Sequence, residues 1–304
     1  MYQDFLEKLP RKFTEVILGG SRGEGKRWIE SLPEIIGEIE SRWRLKMKEP
    51  FPNLSYHYVA PCVCADGSEA VVKIGFPGEA ATLFGEMKTL KFIDGRGADK
   101  LLRFDEKRYA MLLEKLAPGE NLKTICRNDA AKAVGIAVDA MRKFWRKPPE
   151  KHDFPMLEKW FDGFKRAEKI NFAPEYVRKA QAYFIELNSA SESKVLLHGD
   201  FHHENILSAT REPFLAIDPK GIVGNVGYDV SIFLINHAGW LKNEPDLQEK
   251  LDPAIRLFSE AFDITPRDLR RWTFAHSVLS AWWTFEENSE NWANELTFAE
   301  IWEV

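Results

Sequence analysis

The densest run of chemistry-bearing side chains is LLHGDFHHENIL, residues 196–207, followed by LAIDPKG at residues 215–221. His198, Asp200, His202, His203 and Asn205 crowd the first run, and Asp218 stands in the second. A carboxylate such as Asp200 can accept a hydrogen bond from a hydroxyl and orient it. Asn205 and Asp218 offer the hard oxygen ligands that Mg2+ prefers. This set suits phosphoryl transfer, which asks for a nucleophile held in line and for cations that neutralise charge on the phosphates. The same density of imidazole and carboxylate also admits a metal-dependent hydrolase built on His198, Asp200, His202 and His203. The apolar runs Val195–Leu197 and Phe214–Ile217 precede the two clusters and would hold them on buried supports.

The rest of the chain must position these groups. With 304 residues, 44% of them hydrophobic and 29% charged, the chain can bury one large or two smaller cores. A net charge of −5, with no clustered basic face, argues against a nucleic-acid partner and suits a neutral or cationic small molecule. The three cysteines, Cys62, Cys64 and Cys126, are too few for a disulfide framework. Cys62 and Cys64 alternate with Val63 as in a buried strand. MYQDFLEKLPRKF lacks the apolar core of a signal peptide and no apolar run reaches membrane-spanning length, so a cytoplasmic protein without a membrane partner is expected. GGSRGEGK, residues 19–26, fails the phosphate-loop spacing because Lys26 is not followed by Ser or Thr, and is read as an exposed loop.

Ser31-Leu-Pro-Glu34 has the form of a capping box, followed by Ile35, Ile36, Ile39 and Trp43 at helical spacing. Residues 54–64 and 69–74 read as strands around the turn Ala65-Asp66-Gly67. A helix near 79–94 and strands at 101–104 and 109–113 follow. Helical faces then recur over 130–145, 154–170, 174–187, 246–262 and 266–285, interrupted by a short hairpin at the two apolar runs. The expected architecture is α+β and bilobal. Residues 1–113 form a small antiparallel-sheet lobe with a helical extension over 1–48, 114–119 form a hinge, and 120–304 form a mostly helical lobe.

HGD with Asn205, and Asp218 opening DPKG, resemble the catalytic and metal-binding loops of aminoglycoside phosphotransferases, relatives of the protein-kinase fold. LHGDFHHENIL, AIDPKGIVGNVGYDV, MLLEKLAPGENL and LSAWWTFEE resemble the streptomycin 6-kinase and hydroxyurea-phosphotransferase branch. The resemblance, with AVVKIG, runs from about Val71 to Glu287 and implies ATP and Mg2+ as cofactors, GTP being the alternative nucleotide. Asp200 is the implied catalytic carboxylate, with His198 beside it, chiefly as support for the loop. Lys73 corresponds to the strand lysine on the α- and β-phosphates, and Glu86 to its helix partner, with Glu79 as a competitor. Glu114 and Leu116 correspond to the adenine-binding hinge, and Asp229 to an aspartate that braces the loop. EPFPNLSYHYV contains no glycine, so phosphate contacts there fall to hydroxyls such as Ser55 or to an irregular turn. Lys220 would either add positive charge near the transferred phosphate or be an ion-paired loop lysine.

The family phosphorylates small polar antibiotics, so an aminoglycoside-like, cationic acceptor is expected. His202, His203, Trp282, Trp283, Glu286 and Glu287 are its candidate contacts, with Glu290, Trp240 and Asn236 nearby. A non-catalytic kinase-like binding protein is the remaining alternative.

Overall fold

A computed structural model of the chain describes every residue except 1, 21, 22, 128, 190–193, 288–290 and 304, and leaves the side chains of residues 2–4 and 20 undescribed as well. Glu290 therefore lies outside the described residues. The chain divides into two compact units, Met1–Gly119 and Glu120–Val304.

The first unit opens with helices α1 (Tyr2–Glu7), α2 (Arg11–Gly20) and α3 (Glu24–Trp43). Strands β1 (Leu45–Met47), β2 (Tyr58–Cys64) and β3 (Glu69–Ile74) follow, then α4 (Ala80–Ile93), β4 (Leu101–Asp105) and β5 (Ala110–Glu114). The five strands form one antiparallel sheet in the order β1-β2-β3-β5-β4. Strand periodicity assigns the faces. Tyr58, Ala60 and Cys62 of β2 and Val72 and Ile74 of β3 join a core with Phe13, Ile17, Trp28, Ile29, Leu32 and Ile39 from α2 and α3. Lys73, one residue out of phase with Val72 and Ile74, is turned away from that core. The β2–β3 turn closes at Gly67 (φ +83°), with Ser68 N donating to Asp66 Oδ1 at 2.9 Å.

Three expectations fail here. Ser31 is no cap: α3 starts seven residues earlier, behind Gly23 at φ +89°, and the Ser31 hydroxyl donates back to Trp28 O within the helix. The glycine run is correspondingly no loop along its described length, since Gly19 and Gly20 end α2 while Gly25 and Lys26 belong to the first turn of α3. Leu45–Met47, expected as the end of a helical extension, is the edge strand paired with Cys62–Cys64.

The second unit holds β6 (Pro118–Asn121, which straddles the boundary), α5 (Leu122–Ile125), α6 (Ala130–Phe144), α7 (Glu158–Phe161), α8 (Gly163–Lys169) and α9 (Pro174–Ser189). After β7 (Val195–Leu197), β8 (Ile206–Ala209), β9 (Phe214–Ala216) and β10 (Ile222–Gly224) come α10 (Gly227–Leu241), α11 (Leu247–Phe262), α12 (Pro266–Glu286) and α13 (Trp292–Glu300). Asp129 caps α6 by accepting from Lys132 N, and Thr265 caps α12 by accepting from Asp268 N, with Pro266 in the first turn. The two apolar runs do not pair with each other: β7 pairs with β10, and β9 with β8. Residues 154–170 form two short helices in place of one. Helix α10 is buried on nearly every side from Gly227 to Ala238, so it carries no amphipathic stripe by which to be recognised. Among the described residues, no helix is long and apolar enough to cross a membrane.

Candidate active site

In the first unit, Lys73 Nζ lies 2.5 Å from Glu86 Oε2, and both residues are buried. The face alternation of β3 and the placement of Glu86 on the inner side of α4 make this pair. Glu79 sits in the short 3-10 turn ahead of α4 and accepts from Thr82 Oγ1. Glu114 closes β5, its Oε2 accepting from Lys100 N at 3.1 Å, and Leu116 is buried. Gly119 follows at φ +76°, where a Cβ would approach Leu116 O to 2.7 Å. Ser55 lies exposed on the bend between Leu54 and β2.

In the second unit, the loop after β7 is built around Asp229, fully buried at the start of α10. Its Oδ2 accepts from His198 N (2.9 Å) and Trp145 Nε1 (2.8 Å), and its Oδ1 from Gly199 N (2.8 Å). Burial pushes this carboxyl up to about 6, against the pull of the three donors. His198 adds a second strut. Its Nδ1 accepts from Asp200 N at 3.2 Å and its Nε2 meets Ile217 O at 2.9 Å, which ties the loop to the segment before Asp218. With both ring nitrogens engaged on backbone, and the imidazole depressed to about 4 by burial, His198 positions the loop and has no nitrogen left for proton transfer. Its expected place beside Asp200 as a catalytic group is corrected on that ground.

The polar side chains nominated by the sequence sit on this frame. Asn205 Nδ2 donates to Asp200 O at 2.9 Å, which fixes the amide plane and the direction of its Oδ1. Asp218 adopts φ +61° and places Oδ2 2.8 Å from Lys220 Nζ, which is also 3.5 Å from Asp200 Oδ2. Lys220 is thus an ion-paired lysine shared by both carboxylates. Asn205 and Asp218 are half-buried oxygen donors in one loop system, a set that fits a hard divalent cation. Gly199 stands at φ +81°, and a Cβ there would come 2.9 Å from Trp160 Cη2 and 3.2 Å from Lys220 Cβ.

The expected acceptor contacts separate. His202 caps the turn His203–Asn205 through Glu204 N and lies 3.6 Å from Asp200 Oδ1. His203 is buried, stacked on Phe233 at 4.0 Å, with its Nε2 facing His237 Nδ1 at 3.1 Å and Trp240 edge-on, so its ring face and Nε2 are already engaged. Trp282 packs in the core against Phe172 and Gly163. Trp283, one residue on and about 100° around the helix, is half-buried and meets Trp160 and His276. Glu286 is held by Arg166 in a two-pronged pair at 2.7 and 2.8 Å, and Glu287 caps the exposed end of α12. Asn236 is exposed and donates back to Ile232 O. Among the described residues no three His, Cys, Asp or Glu side chains converge as a metal centre. The His198–His203 cluster points in different directions, so the hydrolase alternative has no geometry to support it. Trp160, Tyr228 and His276 were not anticipated. The available signal was the seven-residue spacing of His276 and Trp283, which puts them on one face of α12.

Residues 42–288 match the family model described as aminoglycoside/hydroxyurea antibiotic resistance kinase. The chain belongs to this kinase family. It is similar to a hydroxyurea phosphotransferase of Kitasatospora aureofaciens (29% identity over 293 residues, 92% of this chain and 81% of the relative). It is also similar to a streptomycin 6-kinase of Streptomyces griseus (28% over 276 residues, 87% and 86%). In structure it resembles the choline kinase LicA from Streptococcus pneumoniae, with a TM-score of 0.63 at 13% identity over 89% of this chain and 98% of that one. LicA is also known in complex with AMP. The structural likeness shows the α+β fold of the protein-kinase type, and family membership makes the chain a small-molecule kinase, a phosphotransferase acting on small hydroxyl-bearing substrates.

The buried imidazoles of this kinase carry a pH signature. Burial lowers His198, His237 and His276 to about 4 and His203 to about 2, against 6.5 when exposed. The folded state therefore holds them neutral while the unfolded chain protonates them, and their contribution to stability is present above pH 6.5 and lost as pH falls toward 4. Asp229 has the opposite sign, its contribution being lost as pH rises from 3.8 through about 6. The histidines outnumber it. Unfolding at pH 5 is expected to take up about three protons, with a thermal midpoint that drops steeply below pH 6. Calorimetry in buffers of different ionisation enthalpy measures the uptake, and a net release of protons would contradict it.

Proposed function

We propose that the kinase transfers the γ-phosphoryl group of ATP to a hydroxyl of a small polar, aminoglycoside-like acceptor, in the cytoplasm and with Mg2+ held by Asn205 and Asp218. The observation that supports this most is the loop system in which Asp229 and His198 fix the backbone while Asp200, Asn205 and Asp218 stay accessible. Asp200 takes the proton of the acceptor hydroxyl as its oxygen bonds to the γ-phosphorus. The bond to the β–γ bridging oxygen breaks, and ADP leaves. Mg2+, when bound, neutralises charge on the β- and γ-phosphates. Lys73, oriented by Glu86, contacts the α- and β-phosphates. The backbone at Glu114 and Leu116 receives adenine, and the Ser55 hydroxyl contributes a contact to phosphate. The test is ATP consumption over a panel of aminoglycosides and small hydroxylated metabolites. No acceptor-dependent ADP release anywhere in that panel would remove the proposal.

Lys220 bears on the same site. While it neutralises Asp218 it competes with a divalent cation for that carboxylate. Lys220→Met is expected to bind Mn2+ several-fold more tightly in the absence of nucleotide, as read by electron paramagnetic resonance, and to turn over more slowly. Unchanged Mn2+ affinity would show that the ion pair does not oppose metal entry.

A further inference from the structure

We propose that Trp160, Trp283 and His276 form the acceptor subsite beside Asp200, and that it takes a planar, donor-rich cationic group such as a guanidinium. This rests on the kinase reading above and adds which part of the acceptor is held, and by what.

Trp160 reaches the catalytic loop directly, since the rim of its indole occupies the space a side chain at Gly199 would need. It meets Trp283 edge to face, with centroids 5.6 Å apart and planes at 85°, and both indoles keep part of their surface open. The two rings make a corner, of which Trp160 borders Gly199, the residue before Asp200. Tyr228 packs edge-on against Trp160 at 5.6 Å, and His276 packs on Tyr228 at 4.7 Å and near Trp283 at 6.4 Å.

The hydrogen bonds determine the tautomer of His276. The Ser231 hydroxyl donates its single proton to Tyr228 O at 2.6 Å. It can therefore only accept from His276 Nδ1, 3.2 Å away. His276 is then protonated on Nδ1 and presents Nε2 as a bare lone pair. Burial depresses this imidazole to about 4, so it stays neutral at physiological pH and does not repel a cation. The Tyr228 hydroxyl is fully buried and has no hydrogen-bond partner among the described residues.

The corner thus offers two π faces, an uncharged acceptor nitrogen and a carboxylate. π faces attract cations within about 6 Å of their centroids. Nε2 and the carboxylate accept hydrogen bonds. A planar cation rich in N–H groups satisfies all of these together, whereas an anion satisfies none. Glu286, the exposed carboxylate expected to supply the negative charge, is already held by Arg166.

The experiment is calorimetric titration of the full chain, without nucleotide, with streptomycin as a guanidinium-bearing cation and hydroxyurea as a neutral planar probe. ATP affinity and acceptor-dependent turnover are measured on the same preparations. Trp160→Leu, Trp283→Leu and His276→Asn are each expected to weaken streptomycin binding about tenfold with ATP affinity unchanged. His276→Gln, whose side-chain oxygen can stand near the Nε2 position, is expected to recover part of the loss. The two His276 variants decide the matter should a tryptophan variant fail to fold. Streptomycin affinity untouched by these substitutions overturns the subsite, as does a wild-type protein that binds hydroxyurea but not streptomycin, or neither. An active kinase that ignores the substitutions overturns the subsite alone, whereas a wild-type protein that neither binds ATP nor turns over overturns the kinase reading.

Discussion

Asp200→Asn is expected to lower kcat by about 10²–10⁴-fold, the range for losing a positioned general base, with KM for ATP nearly unchanged. The fold of the loop should survive. Its hydrogen bonds run through the backbone of residue 200, whose N–H donates to His198 Nδ1 and whose carbonyl accepts from His202 N (3.1 Å) and Asn205 Nδ2. The carboxylate itself is one-third exposed and touches Lys220 and His202 only at 3.5 and 3.6 Å. An asparagine therefore changes the chemistry of the site and little of its architecture. Coupled measurement of ADP release, with a thermal midpoint as control, checks both halves. Undiminished turnover in Asp200→Asn would remove this residue from the reaction.

Asp229→Ala is expected to act in the opposite way, through the architecture. It would leave His198 N, Gly199 N and Trp145 Nε1 without their acceptor in a site closed to water. At about 1–3 kcal/mol for each orphaned donor, the loss is about 3–9 kcal/mol, a large share of an ordinary domain's stability. Asp229→Asn should lose less, because one oxygen remains to accept while the amide NH2 opposes a donor. It should also remove the contribution that fades as pH rises through about 6. Urea unfolding of both variants at pH 5 and 7.5 checks the order and the sign. A loss in Asp229→Ala below about 1 kcal/mol would mean that the loop holds its shape without the buried carboxylate.

The two predictions separate what each carboxylate does, and the contrast was partly legible in the chain. HGD, Asn205 and DPKG are local patterns. Residue type and spacing are enough to nominate a proton acceptor and oxygen ligands, and apolar runs on either side are enough to place them on strands. The β2–β3 hairpin was legible for the same reason, because a turn at Asp66-Gly67 and a period of two are properties of neighbours along the chain. The pairing of β7 with β10, in place of a hairpin with β9, was not, since three-residue strands carry no signal of their partner. Helix α10 escaped notice because burial on all sides erases the periodicity on which helix recognition rests.

The acceptor face shows the same division most sharply. The sequence by itself determined which residue types crowd the loop at 198–205 and the DPKG segment, a strand lysine with two candidate partners in Glu79 and Glu86, and the presence of tryptophans near the end of α12. Only the tertiary structure decided that Trp282 faces the core while Trp283 faces Trp160, that His203 stacks on Phe233 and His237 while His276 meets Ser231 through Nδ1, and that Lys220 joins Asp200 to Asp218. Those outcomes depend on helix rotation, burial and hydrogen-bond partners from segments 30 and more residues away in several cases. Spacing along one stretch of chain records residue types, whereas the direction a side chain takes is set by what packs against it.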